Sequence, residues 1–114
     1  DGKNWTFTSS QKKYLQKIID ICKEKEIELI FVTAPIANVS MGYIKNYDIV
    51  HSSVENLAKE NNILYLDYNI VNKDENLLKH ENFRDDAHLN HSGVEIVDKH
   101  FLTYLEKNGF TKKF

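Results

Sequence analysis

Little in this sequence is suited to cross-links, bidentate clamps or membrane spans. Cys22 is the only cysteine, which excludes an intrachain disulfide and a cysteine-based zinc site. Its place beside Ile18 and Ile19 in a helical pattern marks it as a small buried hydrophobe. Arg84 is the only arginine, so a bidentate clamp on phosphate has one candidate at most. No apolar run approaches the roughly 18 residues that a membrane span requires. Neither sign of charge dominates. Fifteen basic residues face 17 acidic ones, for a net charge of -2 and a pI near 6.2. That balance lacks the basic face of a nucleic-acid binder. Internal repeats and low-complexity segments are absent too.

What remains is an ordinary composition for one small α/β domain of 114 residues, 41% hydrophobic and 28% charged. Trp5 and Phe7 alternate with Thr6 and Thr8, which suggests a short edge strand or a docked loop. Thr8 and Gln11 hold the reciprocal positions of a capping box. Tyr14, Leu15, Ile18, Ile19 and Cys22 then follow at helical spacing, predicting a helix from about Ser9 to Lys25. No glycine-rich elbow precedes Ser9 and Ser10, so the pair reads as a cap and not as a nucleophile.

Glu28 to Ala34 is the clearest strand. Its continuous apolar run predicts burial on both faces, as in a parallel sheet, and Pro35 stops it. Ligands of open α/β sheets sit beyond the carboxyl ends of the strands. Thr33, Asn38 and Ser40 are therefore candidate substrate contacts. A helix is expected over roughly Tyr47 to Glu60, closed by Asn61 and Asn62. A second strand follows over Ile63 to Tyr68, with Asp67 near its end as a turn acid first and a site residue second. Residues 69–81 are polar and lack a clean period, which predicts a long loop, a lid or wall beside the site. The last helix is capped by Asn90 or Ser92, with Glu95 completing a capping box after Ser92. Val94, Val97, Phe101, Leu102 and Leu105 form its expected buried face, and Asn108-Gly109 ends it.

The order helix, strand, helix, strand, helix predicts a parallel sheet with helices on its faces. Two strong strands are few for such a sheet. A further strand is expected from an upstream segment or a partner chain, with Trp5–Thr8 the weaker source.

The chemistry concentrates between Phe83 and Gly93, in the run Phe-Arg-Asp-Asp-Ala-His-Leu-Asn-His-Ser-Gly. Asp85 and His88 are three residues apart, within reach of each other on a turn. A carboxylate on imidazole Nδ1 fixes the tautomer and leaves the other nitrogen as a base. His88 and His91 can also be read as metal ligands with Asp85 or Asp86 as a third, although His91 reads more simply as a solvated first-turn residue. His51, His80 and His100 are scattered and read as surface or helix-packing residues.

The strand over Ile27–Pro35, the strand over Ile63–Tyr68 and the block D-x-x-H-L-N-x-x-G from Asp85 to Gly93 resemble the C-terminal half of an SGNH/GDSL-type hydrolase. The resemblance covers most of the chain in element order, and its specificity rests on that one block and its spacing. It implies a three-layer α/β/α, flavodoxin-like fold, of which this chain is a part. It also implies a Ser-His-Asp site acting on acylated or acetylated carbohydrates and lipids, in a bacterial cell-envelope setting. Asp85 matches the triad acid, His88 the general base, and Asn90 and Gly93 the helix entry, with Asn90 a further candidate substrate contact. No cofactor and no metal is implied. The family's G-D-S-type nucleophile block, and the glycine and asparagine of its oxyanion hole, are not recognisable here. The rival expectation is a catalytically silent α/β module that binds a glycan or a protein.

Overall fold

The computed structural model describes residues 5–37, 41–42 and 44–110. Asn38 and Ser40, two of the candidate substrate contacts, lie outside the described residues. Helix α1 spans Ser9–Glu24. Thr8 caps it in the expected capping box: its side chain accepts from Gln11 N–H, and Gln11 accepts from Thr8 N–H. Strand β1 (Ile30–Thr33) is followed by α2 (Tyr47–Glu60), then by β2 (Leu64–Asp67).

β1 and β2 pair in parallel, with Ile30 opposite Leu64 and Thr33 opposite Asp67. A helical crossover is the ordinary route between parallel neighbours. Side chains alternate across a strand, so Phe31, Thr33, Tyr65 and Asp67 share one face. A 2.6 Å hydrogen bond between the Thr33 and Tyr65 hydroxyls bears this out. α2 covers that face through Tyr47 and His51, whose ring stacks on Tyr65 at 5.4 Å. Leu66 belongs to the opposite face.

The expected long loop over 69–81 is a correction. Tyr68–Glu75 is a helix, α3. Asp67 is its N-cap, with the carboxylate accepting from Asn69 N–H at 2.9 Å, and Asn76 ends it in the left-handed region at φ 51°. The polar sequence hides this helix because its buried residues, Tyr68, Asn69 and Asn72, include two asparagines. Asn72 accepts from Leu78 N–H at 2.6 Å, so burial here is carried by hydrogen bonds where a periodicity argument expects apolar side chains.

A 3-10 turn (His80–Asn82) then enters a small antiparallel hairpin, β3 (Phe83–Asp85) with β4 (His88–Leu89). The hairpin carries the charged block and was not expected. The last helix, α4, spans His91–Lys107. Asn90 is its cap, accepting from Gly93 N–H at 3.0 Å. Ser92 lies inside the helix and is no cap.

The core is small, built around Ile19, Leu57, Ala58, Leu66, Tyr68, Leu78 and Leu105. Several expected core positions face solvent. Tyr14 and Ile18 on α1, Val32 on β1, and Val94 and Leu102 on α4 are all exposed, as is Ile21 on α1, and Cys22 is half-buried. Val32 contradicts burial on both faces of the first strand. Among the described residues the sheet ends at β1, because only β2 pairs with it. Trp5–Thr8 does not extend it. Trp5 instead exchanges two 2.7 Å hydrogen bonds with the Asn46 side chain, ahead of α2.

Candidate acid–base site

Two Asp–His pairs are present, one at the end of β2 and one on the hairpin, and their surroundings separate them. The first joins Asp67 to His51 Nδ1 at 2.9 Å. Asp67 has no exposed side-chain surface and is saturated with donors. Tyr47 O–H reaches both its oxygens at 2.8 and 2.7 Å, Tyr65 O–H one at 3.2 Å, and Asn69 N–H the other. The far nitrogen of His51 is also engaged, with Glu55 at 2.9 Å. Burial is the first cause that pushes the Tyr65 hydroxyl up to about 12. Burial, then the hydrogen bond to Asp67, pushes Tyr47 higher still. Lys59 and then His51 hold Glu55 below the usual carboxylate range. Every polar atom here has a fixed partner, so the pair is closed to substrate. In the sequence His51 reads as a surface or packing residue, and the one signal for this cluster is Asp67 at the strand end.

The second pair is Asp85 and His88. His88 Nδ1 lies 2.8 Å from Asp85 Oδ1. The two are cross-strand neighbours at the mouth of the β3–β4 hairpin, with Asp86 and Ala87 as its tip. Asp85 Oδ1 also accepts from Ala87 N–H at 2.9 Å. That backbone bond first, and the His88 bond second, hold its carboxyl below the usual range. His88 is 62% exposed, and its Nε2 has no partner among the described residues. An imidazole held at Nδ1 and open at Nε2 can accept a proton from a reacting hydroxyl. This pair meets that requirement and the His51 pair does not.

The hairpin is fixed from two sides. Asn82 carbonyl accepts from Asn90 N–H at 3.0 Å, and Asn90 Nδ2 donates to Glu81 carbonyl at 2.6 Å. Asn90 Oδ1 meanwhile takes Ser92 Oγ and Gly93 N–H, so the amide oxygen is engaged inside the protein while Nδ2 uses one of its two hydrogens on Glu81. On the other side, Ala37 N–H donates to Asp86 carbonyl at 2.9 Å, which sets the hairpin tip against the turn after β1. Thr33 sits at the end of that strand, its hydroxyl shared with Tyr65.

His91 pairs with Glu95 at 2.7 Å on the exposed first turn of α4, and His100 lies far along that helix against Tyr68. No group of three His, Cys, Asp or Glu side chains is placed to hold a metal ion among the described residues. A cavity of about 580 Å³ opens between α3 and α4, walled by Leu66, Leu77, Ile96 and Tyr104. It shares no residue with the hairpin or with the turn after β1. No helix of the described residues is long and apolar enough to cross a membrane. Comparison with family models, curated proteins and solved structures finds no match to this chain.

Proposed function

We propose that this chain is the C-terminal part of an SGNH-type serine esterase or acyl/acetyl transferase with a three-layer α/β/α domain, acting on acylated envelope carbohydrates. The observation that carries the proposal is the 2.8 Å bond from Asp85 to His88 Nδ1, with Nε2 left open. In the complete protein, a serine supplied by an upstream segment gives its hydroxyl proton to His88 Nε2 as Oγ attacks the acyl carbon. Asp85 holds the Nδ1–H and stabilises the imidazolium. His88 then returns the proton to the leaving alcohol, and water or an acceptor alcohol releases the acyl group by the same steps reversed. The closed His51–Asp67 cluster holds the strand ends that support this site.

The test is His88→Ala in the full-length protein, with hydrolysis of a simple acetyl ester as the readout. Loss of a general base lowers turnover about 10²–10⁴-fold. Asp85→Ala is expected to lower it too, through loss of tautomer and orientation, while Asp86→Ala and His91→Ala stay close to the parent. Unchanged hydrolysis in folded His88→Ala ends the proposal. The rival silent binding module takes its support from the lack of any described hydroxyl at His88 Nε2. A serine-reactive fluorophosphonate labels the esterase and leaves the module unlabelled.

A further inference from the structure

The acid–base pair is exposed, 62% for the His88 side chain and 50% for Asp85. Exposed pairs of this kind contribute little on their own, because solvent screens them and side-chain entropy opposes them. Something beyond the pair has to hold the hairpin that carries it. The sequence of bonds leading away from its tip ends at one side chain.

Ala37 N–H holds Asp86 carbonyl at the tip. Ala37 belongs to the turn after β1, and Asn69 grips that turn from both directions. Asn69 Oδ1 accepts from Ile36 N–H at 2.9 Å, and Asn69 Nδ2 donates to Ala34 carbonyl at 3.3 Å. The same amide nitrogen donates to Tyr47 O–H at 2.9 Å, while Asn69 N–H binds the buried Asp67. Asn69 is itself only 6% exposed. One side chain in the first turn of α3 therefore joins the closed His51–Asp67 cluster to the turn on which the hairpin rests. Among the described residues, the Ala37 bond is the only hydrogen bond from the sheet region onto the hairpin tip.

We infer that Asn69 is a positioning residue for the Asp85–His88 pair. By clamping residues 34–36 it fixes Ala37 against Asp86, and so holds the two-residue tip that sets Asp85 opposite His88. The inference rests on the acid–base reading above. It adds that the closed cluster and the open pair are one hydrogen-bonded assembly, with Asn69 as the joint. A buried amide that satisfies two backbone groups at a fixed spacing suits this role, and an aliphatic side chain of the same size cannot perform it.

Nitrogen-15 spectra of the histidine side chains in the full-length protein test this. A histidine free in water favours the Nε2–H tautomer, and a carboxylate on Nδ1 reverses that preference. The parent protein is expected to show neutral His88 as Nδ1–H. In Asn69→Ala, folded by circular dichroism, His88 is expected to lose that signature and return to mainly Nε2–H. The signals of His91, outside the linkage, are expected to stay in place. If the parent itself shows Nε2–H at His88, the acid–base reading falls and this inference with it. If the parent shows Nδ1–H and folded Asn69→Ala keeps it, the inference alone is overturned. Should Asn69→Ala fail to fold, amide exchange in the parent decides. Ile36 and Ala37 amides protected to a similar extent support the linkage, and exchange at the rate of free amides overturns it.

Discussion

Asp85 is the residue whose chemistry is easiest to follow, because its carboxylate has two partners of different kinds. Ala87 N–H and the His88 ring both favour the ionised form, and they hold its carboxyl below the usual range. A group depressed in the folded state contributes above its unfolded value and stops contributing as pH falls through its folded value. The hairpin geometry should therefore be intact at neutral pH and loosen only in acid below about 3.9, the ordinary aspartate value. Carbon-13 titration of the Asp85 carboxyl is expected to give a midpoint below that value. In Ala87→Pro, which lacks the N–H, the midpoint is expected to move back toward it. A midpoint at or above the ordinary value would remove the basis for the pair as an anchored unit. The spacing of Asp85 and His88 was legible in the sequence because both belong to one short turn. The closed cluster was not, since its carboxylate, imidazole and two phenols come from α2 and β2 and meet only through the crossover.

The hairpin and α4 depend on a helix entry with very little room. A Cβ on Gly93 would collide with the Asn82 carbonyl and with Leu89 Cδ2. That carbonyl already accepts from Asn90 N–H, so it cannot withdraw without releasing the hairpin. Gly93→Ala is expected to destabilise the chain by about 1–3 kcal/mol, the usual range for overpacking a tight site. Asn90→Ala removes the cap and the Glu81 tie together, and loss of a cap alone costs about 0.5–2 kcal/mol. Urea denaturation midpoints measure both. A Gly93→Ala variant as stable as the parent would show that Asn82 and the helix can separate freely. The sequence marked Asn90 and Gly93 as helix entry, which is what they are, and it anticipated α1, α2 and both strands of the parallel pair. It missed α3 and the hairpin for a common reason. Both are held by side-chain-to-backbone bonds from Asn69, Asn72, Asn82 and Asn90, and such bonds leave no hydrophobic period to read.

At the scale of the whole molecule, a two-stranded sheet is a weak foundation. Among the described residues β1 has one neighbour, Val32 faces solvent, and Tyr14, Ile18 and Ile21 make an exposed apolar stripe on α1. An open sheet edge and exposed apolar groups each invite a further strand or another copy. The 114-residue chain is expected to self-associate at high concentration, measured as mass by light scattering across a dilution series. A monomer at every concentration with a steep, cooperative melt would count against the need for a completing strand. The parallel pair also has a consequence for the order of assembly. Thr33 and Tyr65 meet across 32 residues, and Ile36 and Asn69 across 33. The bonds within the hairpin and the start of α4 span only 2 to 10. Local contacts close with little loss of chain entropy, and distant ones close late. During refolding, the entry to α4 should take shape before the sheet, and the Asp85–His88 pair should lock only once Ala37 reaches Asp86. Pulse-labelled amide exchange should find Asn90 and Gly93 protected ahead of Ile36 and Ala37. The helix entry would then be assembled first and the acid–base pair anchored last.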